Sequence, residues 1–423
     1  MRLNKRVTRS VGTTACAVVF GFGVFSEAAA AQDPIQQVLQ QRAAEWSDGF
    51  DSGVVSAPEV RTNAPILSAA TVDAVGRAIE QYSEIVARGG WPMVPAEQVL
   101  RIGASGPAVA ALRQRLIVSG DLDASLGVSN AFDSYVDAAV KRFQARHGIP
   151  ADGIVGNSTF AALNVPATVR LNQLATNLTR IKMLTSKLSE KFVMVNIPAA
   201  QIEAVENGFV AQRHTAVVGK VDRPSPILSS AIHEVNFNPF WTVPASIIRR
   251  DLIPKMQSDP DYLDEYRIRI YDPGGNELHS SQVNWYSDEA TNYMFRQDPG
   301  DFNSLGQVRI NFHNKDGVYM HDTPAKGLFN EEYRFDSSGC VRVQNVRELI
   351  TWLLRDNEGW GRGQIDEMYR NGERLDLRLK RSVPVHWTYF TAWSMTDGVV
   401  HFRNDIYGLD GLEQYASQAG TQL

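Results

Sequence analysis

Two residues of this chain could act as a nucleophile and its base. Cys340 sits in the small-residue turn Ser337–Ser338–Gly339–Cys340–Val341–Arg342, and His321 lies nineteen positions upstream in Tyr319–Met320–His321–Asp322–Thr323–Pro324. A thiol at its ordinary pKa of about 8.5 is mostly protonated at neutral pH, so it needs a base or a positive environment beside it. His321 can be that base, and N–H groups around Gly339 and Cys340 can point at a developing oxyanion. Arg342 offers a fixed charge near a thiolate, or a fork for a substrate carboxylate. Of the two cysteines, the other, Cys16, lies in a segment expected to be removed, which leaves one thiol and no internal disulfide. A lone cysteine with a histidine elsewhere is the pattern of a catalytic nucleophile. Taken alone it is weak evidence, because a buried structural cysteine is the commoner case.

These residues need elements to hold them. Asn345–Val346–Arg347–Glu348 reads as a capping box, with Val346, Leu349, Ile350, Leu353 and Leu354 on a buried face, so the thiol is expected on a tight turn shortly before a helix. β-Branched and aromatic runs predict strands at Phe192–Ile197, Thr215–Val218, Ser230–Phe237, Arg267–Tyr271, Gln307–Phe312 and Val318–His321, and the pattern returns at Val383–Thr391 and Gly398–Arg403. Between Trp241 and Asp301 the composition turns polar, with a helix predicted at Ile247–Met256, as in an inserted lid. Ahead of the strands, Val75, Ile79, Tyr82 and Val86 form one apolar helical stripe, and Leu171, Leu174, Leu178, Ile181, Leu184 and Leu188 form another that is expected to pack on it. Ser52–Pro65 reads as a loop.

The first residues bear on compartment. Arg2, Lys5, Arg6 and Arg9 precede an apolar run, Ala15–Phe25, and Ala29–Ala30–Ala31 offers a cleavage site, the layout of a secretory signal peptide. Its removal would move the net charge from −5 to about −8. An acidic chain with no basic run excludes a nucleic-acid partner, and no later stretch has the roughly 18 apolar residues of a membrane-spanning helix. The roughly 390 residues that remain suffice for two or three domains.

Residues 94–165 read from physics as a small three-helix unit. Leu100, Gly103, Gly106, Val109 and Leu112, then Val140, Phe143 and Gln144, then Asp152, Gly153, Gly156 and Thr159 resemble the peptidoglycan-binding domain family, which implies cell-wall binding. The loop Asp121–Asn130 is longer than that pattern leads one to expect.

The His–Cys region in turn resembles the L,D-transpeptidase catalytic domain (the YkuD-like fold), most closely its large capped members. The resemblance rests on His321, on Ser337–Ser338–Gly339–Cys340–Val341–Arg342, on Val217–Val218–Gly219–Lys220 with Arg223–Pro224–Ser225–Pro226, and on Asn238–Pro239–Phe240–Trp241–Thr242–Val243–Pro244. Ser338 stands where many members have a second histidine, and Asp322 where many have glycine, a position whose carbonyl orients the histidine. The resemblance implies that Cys340 attacks a stem tetrapeptide before its terminal D-Ala and that His321 moves the proton. It further implies that Gly339 and Cys340 hold the oxyanion, that Arg342 steadies the turn or a diamino-acid carboxylate, and that an amine of a second stem resolves the thioester as a 3→3 crosslink. Ser337, Ser338, Asp322 and Tyr319 are candidates for contact with substrate, and Arg309 and Asn311 could touch it or serve as ordinary sheet residues. A wall hydrolase of carboxypeptidase or endopeptidase type, using the same Cys–His site, is the alternative.

The expected architecture is multidomain α+β. It comprises a signal peptide (1–31), a helical scaffold (32–93), the wall-binding domain (94–165), a scaffold helix (166–190), a mainly β catalytic domain (191–407) with a cap at about 245–300, and a tail (408–423). Peptidoglycan is the expected partner, the periplasm or cell envelope the expected location, and no cofactor is expected. His313 near His321 and Cys340 could suggest zinc, but no i,i+4 His pair or second cysteine accompanies it, and no metal is expected. His147, His214, His233, His279, His386 and His401 have no partner in the sequence.

Overall fold

A capped amphipathic helix opens the part of the chain that this computed structural model describes, residues 62–411. The leader, Cys16, most of the 52–65 loop and the end of the tail lie outside the described residues. The Ser68 hydroxyl accepts from the Thr71 N–H at 3.2 Å and starts α1 (Ala69–Ala87), which buries Ala74, Val75, Ala78, Tyr82 and Ile85. Next come α2 (Pro107–Val118), α3 (Ser134–Arg146) and α4 (Asn157–Leu163), then α5 (Ala167–Thr185), whose Leu174 and Ile181 pack against the buried face of α1.

The three helices α2, α3 and α4 enclose their own core of Leu100, Leu112, Leu116, Val140, Phe143, Val155 and Leu163. Gln144 ties this unit together. Its amide donates to Asp152 Oδ1 at 2.8 Å and to the Ile154 carbonyl at 2.9 Å, and its oxygen accepts from the Gly153 N–H at 2.9 Å. Gly153 has φ +78°, and a Cβ there would come within 2.2 Å of Asp137, so both conformation and space call for glycine. The long 121–130 loop carries one 3₁₀ turn, Ala124–Leu126.

The β-rich half of the chain is built on β1 (Lys191–Asn196), β2 (Gln201–Glu206), β3 (Phe209–Gly219) and β4 (Leu228–Phe237). A second, four-stranded sheet follows: β5 (Trp241–Thr242), β6 (Ile268–Tyr271), β7 (Glu277–Leu278) and β8 (Met294–Gln297), ordered β5-β8-β6-β7. With it lie α6 (Ala245–Ile247), a π-helical stretch Ile248–Leu252, α7 (Ile253–Ser258) and α8 (Tyr262–Glu265). The predicted helix is therefore present but passes through a wider turn. Pro254 lacks the N–H an α-helix would use there, which suits a π-bulge just ahead of it. This cap has its own core, including Trp241, Ile248, Leu252, Leu263 and Phe295.

The chain then completes the main sheet with β9 (Val308–Phe312), β10 (Met320–His321), β11 (Phe335–Ser337) and β12 (Val341–Val343), adds α9 (Val346–Leu353) and α10 (Arg362–Asn371), and ends in β13 (Leu375–Thr388) and the hairpin β14 (Ala392–Ser394) and β15 (Val400–Phe402). The order is β11-β3-β12-β10-β9-β4-β13-β1-β2, and β3 also pairs with β2, so the nine-stranded sheet closes into a barrel-like form. Val195, Ile202, Val235, Ile310, Met320, Val341 and Trp387 fill its inside, with Leu349 and Ile350 of α9. Replacing a side chain such as Trp387 by alanine would cost about 3–5 kcal/mol. β1 is buried on both faces because Phe192 and Met194 turn outward onto α1, α5 and the β14–β15 hairpin, while Val193 and Val195 turn inward.

Two local expectations need correction. Asn345 does not cap α9 with its side chain but takes the left-handed conformation at φ 50°, and Glu348 pairs with Arg362 instead of reaching back. The thiol turn also leads into β12, so a strand separates it from that helix.

Candidate active site

Strand register brings the chemistry together. β10 and β12 run parallel with Met320 opposite Val341 and His321 opposite Arg342, and β9 pairs antiparallel with β10 so that His321 also faces Arg309. Alternation sends Ile310, Met320 and Val341 into the barrel and leaves Arg309, His321 and Arg342 in one row on its other face. The Val341 N–H donates to the Tyr319 carbonyl at 3.1 Å, which anchors the strand carrying His321 beside the turn carrying Cys340.

His321 is buried, and its Nδ1 lies 2.5 Å from the Asp322 carbonyl. A carbonyl only accepts, so Nδ1 carries the proton and Nε2 of the neutral ring keeps a free lone pair. Burial first, then the Arg342 and Arg309 charges, push this imidazole down to about 3. The Asp322 carboxylate turns elsewhere, to Lys326 Nζ at 2.5 Å and the Gln307 N–H at 3.1 Å. Asp322 thus meets the histidine through its backbone alone, and its side chain is spent on structure.

Cys340 is half-buried. Burial pushes its thiol up to about 11, against hydrogen bonding to the Tyr319 backbone and hydroxyl and the charges of Arg342 and Arg309. The Tyr319 hydroxyl is held between the sulfur and the cap: it accepts from Trp241 Nε1 at 3.2 Å, and burial pushes its own pKa up, so it stays a donor. Arg342 is mostly buried with Asp336 3.8 Å away, and burial holds its pKa below the ordinary value.

The turn itself is braced from two sides. Ser337 donates to the Cys340 carbonyl at 2.5 Å and accepts from the Gly339 N–H at 3.2 Å. Ser337, buried beneath Cys340, thus braces the turn from within and engages the Gly339 N–H. Gly339 has φ +107°, a conformation that favours glycine. Below it, Ser225 donates to the Gly339 carbonyl at 2.9 Å and accepts from the Gly219 N–H at 2.9 Å. Ser338 is exposed and accepts from Arg223 Nη1 at 3.0 Å.

Three of these contributors, Ser225, Arg223 and Trp241, carry no site role in the sequence reading. Arg223, Ser225 and Trp241 fall inside strings that resemble the family, so the signal was present without a position for it. Arg309 donates to Asn236 Oδ1 at 2.9 Å, and Asn311 donates to Glu234 Oε1 at 3.0 Å, which fits a polar ladder across the sheet. His313 stacks on His233 with ring centres 4.2 Å apart, and among the described residues no group of three or more His, Cys, Asp or Glu side chains is placed to hold a metal. No helix among the described residues is long and apolar enough to cross a membrane.

Two stretches of the chain match known families. Residues 190–375 match the L,D-transpeptidase catalytic domain family (YkuD), and residues 105–163 match a peptidoglycan binding domain family. A Haemophilus influenzae protein named as an L,D-transpeptidase is 33% identical over 239 residues, which is 56% of this chain and 48% of that protein. The N-acetylmuramoyl-L-alanine amidase CwlL of Bacillus licheniformis is 40% identical over 65 residues, 15% of this chain and 18% of that one. The match thus spans about half the length of the first relative and less of the second. Among solved structures, an L,D-transpeptidase from Xylanimonas cellulosilytica aligns at 19% identity with a TM-score of 0.23, over 70% of this chain and 99% of that one. The two family matches thus identify a catalytic domain of the L,D-transpeptidase family over residues 190–375 and, ahead of it, a peptidoglycan-binding domain over residues 105–163.

Proposed function

We propose that this protein is an exported peptidoglycan L,D-transpeptidase that forms 3→3 crosslinks through a Cys340 thioester. The observation that carries the reading is the β10–β12 pairing, which brings a neutral, Nδ1-anchored His321 alongside the Cys340 turn in a domain matching this family. Export through the 1–31 leader to the periplasm or cell envelope, and wall attachment through the peptidoglycan-binding domain, belong to the same proposal.

The thiol sulfur attacks the carbonyl that joins the third residue of a tetrapeptide stem to its terminal D-Ala, and the thiol proton passes to His321 Nε2. The Tyr319 O–H and the Arg342 charge support the sulfur as that proton leaves. The Cys340 N–H stabilises the oxyanion, since the Gly339 N–H is bonded to Ser337. His321 gives the proton to the departing D-Ala amine, and a side-chain amine of a second stem then attacks the thioester and restores the thiol. One amide replaces another, so no ATP is consumed.

The test is incubation of the leader-free protein with a tetrapeptide-bearing disaccharide and mass spectrometry of the products. A crosslinked dimer that disappears in Cys340→Ala is the expected result. Tripeptide and free D-Ala alone would make the protein a hydrolase, and products unchanged in Cys340→Ala would overturn the assignment.

A further inference from the structure

The segment between β3 and β4 touches both the nucleophile turn and the cap. Beside Ser225, which holds Gly339 from below, Arg223 grips Asp251 of the cap with both prongs, Nη1 to Oδ2 at 2.6 Å and Nη2 to Oδ1 at 3.0 Å, while its Nε lies 3.5 Å from the Asp222 carboxylate. The same Nη1 donates to Ser338, two residues from Cys340. Asp251 lies in the π-helical stretch, so the widened turn of the cap is what carries this carboxylate. Its side chain is 41% exposed while that of Arg223 is 17% exposed, so the acid is the exchangeable partner and the guanidinium the fixed one. Of the arginines whose charges act on the thiol, Arg309 donates its Nε to Asn236 and Arg342 lies in a mostly buried pocket beside Asp336.

A planar fork beside the Cys340 turn matches a carboxylate, and a second acid that offers the same two-pronged geometry can replace the 41% exposed Asp251 on it. We propose that Arg223 is the receptor for a carboxylate of the stem peptide, and that Asp251 occupies that receptor while the site is empty. The proposal rests on the transpeptidase reading for the identity of the peptide. A stem tetrapeptide offers its carboxylate from the terminal D-Ala next to the scissile bond or from the side chain of a diamino third residue, and the chemistry at Arg223 is the same for both.

The test has a binding arm and a turnover arm, each with thermal melts of every variant. In the Cys340→Ala background, calorimetry with synthetic stem tetrapeptide should show Arg223→Met binding about tenfold more weakly or worse, the scale of a lost charged hydrogen bond. Asp251→Asn should bind several-fold more tightly, because the acid on Nη1 and Nη2 is gone while Asp222 touches only Nε, and in the Cys340-containing protein it should lower KM. Tetrapeptides amidated at the C-terminus or at the third residue identify the carboxylate, as the peptide for which Arg223→Met no longer matters. An Asp251→Asn variant that binds no tighter, or an Arg223→Met variant that binds as well as its parent, overturns the proposal, as does a parent that binds no tetrapeptide. Cys340-dependent products without these shifts would leave the transpeptidase reading standing and remove only this inference. Absence of products would remove the transpeptidase reading, and the binding arm would still decide the carboxylate receptor.

Discussion

His321 Nδ1 lies 2.5 Å from the carbonyl of Asp322, and that contact leaves Nε2 as the proton acceptor. The imidazole is pushed down to about 3 and the Cys340 thiol up to about 11, so both are neutral over the whole working range. The free protein therefore rests as thiol and imidazole, not as an ion pair. The pH profile of kcat/KM, which reports free-enzyme groups, should lack an acid limb near 6.5 from this histidine. Iodoacetamide alkylation of Cys340, followed by mass spectrometry, should climb with a midpoint well above 9. His321→Ala should lower kcat/KM by about 10²–10⁴, the usual scale for losing a general base. An alkylation midpoint below 8 would contradict the resting state argued here.

Tyr319 gives a separate handle on the thiol. Its hydrogen bonds to Cys340 work against the effect of burial, and its hydroxyl also accepts from Trp241 of the cap. Tyr319→Phe keeps the ring in place and removes that O–H. The alkylation midpoint should rise further and kcat/KM should fall about tenfold, the scale of one charge-assisted hydrogen bond. A purely packing role would leave the midpoint where it is, so the midpoint and not the rate is the deciding measurement.

The strands that can be read from local alternation are those with a β-branched run of their own, such as Ser230–Phe237 within β4 and Gln307–Phe312 around β9. Thr215–Val218 within β3 is legible in the same way, whereas β2 and the start of β3 are hidden because Glu203, Glu206, Gln212 and Arg213 interrupt the pattern. Glu203 is nevertheless fully buried, accepting from the Ile66 N–H at 2.9 Å and pairing with Arg213 at 3.0 Å, which no local pattern reveals. The Cys340 turn and His321 stand out by residue type, whereas the row that joins Arg309, His321 and Arg342 depends on register between strands far apart in sequence. Ser225 and Arg223 are silent for the same reason: their partners, Gly339 and Asp251, are distant, and only the closed fold introduces them.

Buried histidines make the protein sensitive to acid. Burial pushes His214 down to about 4, and His321 and His401 to about 3, and it holds His147 well below the ordinary value of 6.5. In the unfolded chain these rings take protons near 6.5, so between that pH and about 4 the unfolded state binds more protons than the folded one. Stability then rises with pH across this window and is lost as pH falls through it, by at most about 1.4 kcal/mol per pH unit for each histidine. Urea melts from pH 7 to 4 should show that decline. His401→Gln should show a shallower slope whatever its stability at pH 7, and an unchanged slope would assign the acid sensitivity to the carboxylates.

The junction between the α2–α4 unit and the β-rich half is a second place where burial has consequences. Arg146 of α3 is buried and forms a two-pronged pair with buried Asp121, at 2.8 and 2.6 Å, while its Nη1 donates to the Val400 carbonyl on β15 at 3.2 Å. Arg115 and Arg170 lie close enough to oppose its charge, and burial pushes their pKa values down to about 9 and about 10. Aromatic faces take up part of the load, with Arg115 3.7 Å from the Trp91 ring centre and Arg170 4.6 Å from that of Phe402. Asp121 is thus the carboxylate paired with Arg146 in this cluster, and removing it strands a buried cation among like charges. Asp121→Ala should cost about 3–5 kcal/mol in urea melts, the range for breaking one side of a buried pair. Replacing both partners, as in Asp121→Leu with Arg146→Met, should recover much of that loss, because no unpaired charge is then left inside. A single substitution costing less than about 1 kcal/mol would mean that the aromatic faces and backbone carbonyls already compensate the arginines, and that the carboxylate does not hold this junction.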